Sequence, residues 1–436
     1  MVGLFLMCVL LFVVSAIGPI DRTPLEQQAF YRRMKEKIKN LKFNQTVGTL
    51  KASWGKVNIT PSVPQPLAGY LLRPPFDSVR DSLYCRIATL QNHQQTVFII
   101  NADLLLFPSS WRTDIVAEWR KKFPQDDFYF CATHTHNGVG GFDKSLVAMA
   151  IFGYYRRAWM NRCRQAIIEK MKVLRNEARP SQMAYWESEE THKVLNRICR
   201  DSADDSRLRG FEIEQDEGKK MRIFSFGAHP TSISKHSKTL SADYPAAVIS
   251  ELEKKGYEGL FLSGMVGSGS LDGWELDGYP LIDSAGKSLS KTILKSRLSS
   301  RDHQLRITSA HIPVEFGASQ LRIAKEWRVR NFAFGAFLNP LRGEFTYLRL
   351  NEIILLGTPC DFASELFLKN KLESIAASRG NKLIITSFNG DYVGYITHDS
   401  YYDTHDGEDV RALNWAGPYF GKYFSESIAD IIQKAP

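Results

Sequence analysis

Residues 96–106 form an almost unbroken apolar run that predicts a buried strand, and residues 110–122 place Trp111, Ile115 and Trp119 four apart, the spacing of an amphipathic helix. The same alternation continues along the chain. Residues 128–132 predict a strand and 154–174 a long helix. Strands at 222–228 and 259–262 follow, separated by a helix that opens at Pro245 behind Ser241-Ala242-Asp243. Two late strands, 352–356 and 382–386, come with helices at 362–377 and 418–433, and a basic amphipathic helix at about 24–41 precedes the whole series. Strands alternating with helices predict an α/β protein, a mixed β-sheet core with flanking helices. No Pro/Gly/Ser linker, low-complexity tract or repeat marks an internal boundary, so residues 17–436 are expected to form one large domain. His134 and His136, His229, Ser268 and Ser270, Asp361 and Tyr395 all fall just beyond the carboxyl end of an expected strand. That is where open α/β sheets bind their ligands.

Composition narrows the picture. With 436 residues, 44% of them hydrophobic and 24% charged, the chain has ample material for a core, which excludes disordered and fibrous classes. The net charge of +9 favours anionic partners. Its Lys and Arg are scattered rather than striped, so a lipid surface is expected and nucleic acid is not, and no obligate protein partner is evident. The first nineteen residues carry no charge, and the run 4–14 ends at Val14-Ser15-Ala16. Residues 1–16 are therefore expected to be a signal peptide cleaved near Ile17, or an uncleaved membrane anchor; either exports the remainder. Beyond Cys8 the cysteines are Cys85, Cys131, Cys163, Cys199 and Cys360, with no Cys-x-x-Cys knuckle and no pairing legible from spacing.

The chemistry sits at the strand ends. In Thr133-His134-Thr135-His136-Asn137-Gly138 two imidazoles occupy alternate positions, and an extended chain would send them to opposite faces, leaving only one to ligate a given ion. His229 ends another strand. With His134 it supplies two nitrogens, and a catalytic zinc needs at least one more protein group. Asp361 in Gly357-Thr358-Pro359-Cys360-Asp361 is the best-placed carboxylate, with Glu365 the alternative; equally, Asp361 would suit a helix cap. The loop Gly264-Met265-Val266-Gly267-Ser268-Gly269-Ser270 is suited to presenting N–H groups and a hydroxyl to a polarised carbonyl, though Val266 breaks the Gly-x-Ser-x-Gly elbow. No Walker loop or dinucleotide fingerprint is present.

Taken in order, these motifs resemble the neutral/alkaline, non-lysosomal ceramidase family. The likeness is carried by Gly55-Lys56-Val57-Asn58-Ile59-Thr60-Pro61 with Gly69-Tyr70, by 132–138, by Asn196-Arg197, by His229-Pro230-Thr231 with Ser241-Ala242-Asp243, and by Gly394-Tyr395-Ile396-Thr397. The resemblance implies zinc held by His134, His229, Asp361 and Tyr395. It implies that His136 and Arg197 bind and polarise the substrate amide, and that Ser270 is the catalytic serine. The implied activity is that of a metal-dependent amidohydrolase acting on linear amides, which splits ceramide or a ceramide-like sphingolipid at a membrane surface into fatty acid and amine base. Other readings are a zinc hydrolase of another amide or ester, or a non-catalytic lipid-binding surface protein. Two departures stand out. Asp361 replaces the family's Glu, and Ser268, Ser270, Leu271 and Asp272 replace its acidic, Ser-Pro-Asn serine loop. The likeness extends to the catalytic domain and not to the family's C-terminal sandwich domain.

Overall fold

The computed structural model describes residues 14–188 and 194–436 together with Met7 and Leu11. Most of the apolar leader, and with it the choice between signal peptide and anchor, lies outside the described residues. Ile17–Pro19, where the mature chain is expected to begin, is a strand paired with Trp327–Val329.

Three times the chain runs through one succession: three antiparallel strands, a crossover helix, and a fourth strand laid parallel to the third. The first unit is Lys51–Asn58, Tyr84–Gln91, Thr96–Ala102, the helix Ser109–Arg120 and Asp127–Ala132. The second is Arg179–Glu187, Arg209–Gln215, Lys220–Phe226, the helix Asp243–Glu253 and Tyr257–Ser263. The third is Gln304–Pro313, Glu344–Leu350, Ile353–Gly357, the helices Ser364–Lys369 and Leu372–Ala377, and Lys382–Thr386. Each unit is followed by a longer helix: Arg157–Glu177, Gly278–Lys295 and Phe420–Lys434. A parallel pair cannot be closed by a hairpin, which is why each fourth strand is preceded by a helix.

Units one and two join edge to edge, Lys51–Asn58 against Arg179–Glu187, into an eight-stranded sheet. The third unit, with Asn44–Thr49 added to its edge, forms a five-stranded sheet. The two sheets face each other across Ile99, Tyr129, Ile213 and Ile223 on one side and Ile307, Leu348, Leu355 and Ile384 on the other. Helices cover both outer faces: Ile115, Trp119 and Ile167 on unit one, Val248 and Leu289 on unit two, Ile38, Leu366 and Ile428 on unit three. The mixed α/β architecture expected from the sequence is present, as four layers. Burial on both faces explains why strands such as Thr96–Ala102 read as continuous apolar runs.

At the start of Asp127–Ala132 an ion triad ties the sheets together. The His311 imidazole meets Asp127 Oδ1 through Nε2 at 2.6 Å and Glu344 Oε1 through Nδ1 at 2.7 Å. Burial disfavours its charge, but the two carboxylates outweigh that and raise its pKa to about 9. Asp127, also buried, is drawn down to about 2, mainly by the bond to His311.

Two expectations change at residues 362–377. The helix is broken at Asn370–Lys371, where Lys371 has φ +50, and its first cap is Ala363. Asp361 is therefore not a helix cap. It lies in the two-residue strand Asp361–Phe362, parallel to Tyr395–Ile396. The five cysteines beyond the leader are free thiols.

Candidate metal centre and active site

Each unit sends chain from the ends of its third and fourth strands to one point. Unit one contributes the segment after Ala132, unit two His229 and the loop 264–270, and unit three Asp361 and Tyr395. The register Asp361↔Tyr395 sets these last two side by side.

The structure corrects the expected geometry of the paired imidazoles. The strand ends at Ala132, the His134 N–H bonds to the Leu104 carbonyl at 3.0 Å, and His134 itself has φ +60. That left-handed residue replaces the extended step on which the opposite-faces expectation rested. His134 and His136 consequently fall on the same side, with Nε2 atoms 3.4 Å apart, and His136 Nε2 lies 2.8 Å from His229 Nε2. Ligating atoms of the three imidazoles all lie within 4.8 Å of one another.

Tautomers follow from the outer bonds. A carbonyl only accepts, so His134 donates Nδ1–H to Leu105 at 2.7 Å and His229 donates Nδ1–H to Val266 at 3.1 Å. Both Nε2 atoms are left with lone pairs on the shared point. Burial depresses all three imidazoles, His134 to about 3, so they are neutral at physiological pH. The His134 ring stacks on Phe388 at 3.9 Å. His136 is flanked edge-on by Tyr70 at 5.0 Å, and a side chain at Gly69, φ +98, would come within 2.5 Å of the His136 backbone.

Asp361 completes the point. Its Oδ2 accepts from the Tyr392 hydroxyl at 2.6 Å, while Oδ1 is buried without a hydrogen-bond partner, 3.4 Å from His134 Nε2. Burial raises its pKa to about 8, against the lowering pull of the Tyr392 bond and of Arg197. Two neutral imidazole lone pairs and an orphaned carboxylate oxygen in one buried spot fit a divalent cation that accepts nitrogen and oxygen ligands, zinc above all. Glu365 Oε2 accepts from Asn196 Nδ2 at 3.4 Å, and its Oε1 is likewise buried without a hydrogen-bond partner.

Arg197 lies over Tyr395, donating to its hydroxyl at 2.7 Å, and pairs with Asp409 Oδ2 at 3.0 Å. Burial works against its charge, but Tyr395, Asp409 and Asp361 raise its pKa above the ordinary arginine value. Ser270 is buried in Gly269–Ser270, paired with Leu195–Asn196, and its Oγ contacts the Leu195 carbonyl at 3.5 Å. Among the described residues no hydrogen bond joins it to the imidazoles. Ser268 instead accepts from the Ser364 N–H at 3.1 Å.

No family model matches the sequence, and no curated protein does. Among solved structures, the neutral ceramidase of Pseudomonas aeruginosa superposes with a TM-score of 0.77 over 88% of this chain and 74% of that one, at 15% identity. The fold is that of a neutral ceramidase. A ceramidase complexed with C2 agrees, with a TM-score of 0.74, 15% identity and coverage of 88% and 75%. Within this neutral-ceramidase fold the residues marked by the sequence motifs gather at one place. Sequence reasoning missed Asp409, Tyr392 and Phe388, which hold Arg197, Asp361 and His134. Phe388 and Asp409 carry no local signal, one an ordinary aromatic and the other the last acid of Asp406-Gly407-Glu408-Asp409. Tyr392 is one of two tyrosines in Asp391-Tyr392-Val393-Gly394-Tyr395, with nothing in the spacing to set it apart as a carboxylate partner.

Proposed function

We propose that this protein is a zinc-dependent amidohydrolase that cleaves the N-acyl bond of a ceramide-like lipid, acting outside the cell that makes it. The observation carrying this reading is the unpartnered Asp361 Oδ1 beside the paired lone pairs of His134 and His229. His134, His229 and Asp361 would hold the ion, with Tyr395 alongside. A zinc ion there supplies Lewis acidity that makes water nucleophilic near neutral pH.

The chain's own groups do the rest. Arg197 stays charged and is fixed by Asp409, so it offers a permanent positive charge to the oxygen of an amide carbonyl as that oxygen gains negative charge. His136, neutral and with Nε2 within 3.4 Å of both other imidazoles, binds the amide and holds a proton at Nε2. Burial of the whole group excludes bulk water and strengthens each of these interactions. The loop ending in Ser270 is tied to the site through its backbone: the His229 N–H bonds to Gly269 and the Arg197 N–H to Ser268. The neutral-ceramidase fold and the motif resemblance support ceramide as the substrate class.

The test is zinc content of the purified protein beside hydrolysis of a panel of N-acyl amides and esters. One bound zinc with release of fatty acid from N-acyl sphingoid bases is the expected result. A protein that binds no zinc and cleaves no member of the panel overturns the reading; cleavage of esters alone moves it to another hydrolase.

A further inference from the structure

Apolar side chains face outward on the elements next to the imidazole cluster. Tyr70, packed on His136, is followed by Leu71 and Leu72, 72% and 75% exposed. The Leu72 N–H bonds to the Ile151 carbonyl at 3.2 Å, tying this turn to the helix Leu146–Phe152, whose seven residues LVAMAIF include none that is buried. Leu146 is 56% exposed, and Tyr154, just past that helix, 78%. Beside it packs a second apolar helix, Asn331–Leu338. That helix shows Phe337 to solvent and turns Phe334 onto Trp415; Trp415 packs on Tyr392, the residue that holds Asp361. Lys144, Arg156, Arg157, Arg330 and Arg342, all exposed, rim this face.

Contiguous exposed apolar side chains with a cationic rim are what a lipid interface selects and water does not. The point at which the uncharged leader joins the fold is on the same face. Ile17–Pro19 pairs with Trp327–Val329, and the Arg330 N–H bonds to the Ala16 carbonyl at 2.7 Å, one residue before the second helix begins. We infer that this face docks on an anionic lipid bilayer, with Leu71, Leu72, Leu146, Tyr154 and Phe337 entering the headgroup–acyl boundary while the cations meet lipid phosphates. Docking there sets the imidazole cluster at the membrane surface. Only that purpose, not the binding itself, rests on the amidohydrolase reading.

The test places nitroxide labels at Leu146→Cys, Phe337→Cys and, away from this face, Val173→Cys, in the full chain carrying Cys199→Ser. Immersion is then measured by collision with oxygen against a water-soluble nickel complex. With phosphatidylcholine vesicles containing phosphatidylserine, labels at 146 and 337 should become oxygen-accessible and nickel-protected while the label at 173 does not change. Leu146→Asp with Phe337→Asp should slow hydrolysis of ceramide in those vesicles by about tenfold or more, as expected when two exposed apolar anchors are lost. It should leave a soluble short-chain amide unaffected. Labels that stay in water overturn the inference, whether the protein floats free or is held by its leader alone, and so does dipolar coupling between labels on two copies, which would make the face a dimer contact. Immersion without hydrolysis of any amide keeps the docking face and rejects the proposed activity.

Discussion

The strand Asp127–Ala132 has one histidine at its start and three near its finish, and the two places are electrostatic opposites. At its start, His311 sits between Asp127 and Glu344 and is held charged, its pKa raised to about 9. At its finish, His134, His136 and His229 have the single carboxylate Asp361 among them and are held neutral, His134 at about 3. Burial opposes the charge in both places. What differs is the neighbouring charge: two carboxylates flank the one imidazole at the first, while at the second the Arg197 guanidinium opposes protonation of all three. Only the second arrangement leaves nitrogen lone pairs directed at a shared point, so only it can take a cation. The first spends both nitrogens as donors and serves to lock the sheets together.

Substitutions can break this contrast. The largest expected effect is at His134→Ala, which should lose zinc and activity together, a loss larger than the ~10²-fold typical of one missing oxyanion donor; elemental analysis beside turnover checks it. At the other end, His311→Leu leaves Asp127 and Glu344 buried and facing each other, and should lower unfolding stability by about 3 kcal/mol in denaturant titration with zinc content unchanged. Arg197→Ala and His136→Ala should each keep the metal and lower kcat on the order of 10²-fold. Arrival of His136→Ala without metal would assign that imidazole to the ligand set. Smaller again is the pH signature of the triad. His311 has a folded pKa above its unfolded value, so its contribution is complete below about pH 6.5 and is lost as pH rises through about 9. Between pH 6.5 and 8.5 the wild type should lose about 1 kcal/mol that His311→Leu does not, once the partial exposure of the ring is allowed for.

The strand-end positions of His134, His229, Asp361 and Tyr395 were legible because buried strands are apolar runs and polar residues break them. The side of the chain on which His136 falls was not, since it depends on one left-handed residue, and a histidine, though commoner there than most side chains, seldom adopts positive φ. Strands such as Gln304–Pro313 and Glu344–Leu350 escaped notice because charged residues interrupt them. Arg306 is exposed, and Arg349 is buried by bonding to the carboxyl-terminal backbone and to Thr308. The threefold succession of strands and helices was equally hidden. It repeats topology without repeating residues, and its connections differ: a two-residue hairpin joins the second and third strands of the third unit and a four-residue hairpin those of the others.

That repetition has a consequence for timing. His134 belongs to the first unit, His229 to the second, and Asp361 and Tyr395 to the third, so a nascent chain leaving the ribosome owns imidazoles long before it owns the carboxylate that completes their set. An unfinished or half-docked molecule therefore has an incomplete centre. The set of side chains at that point is whole only once the third unit has docked.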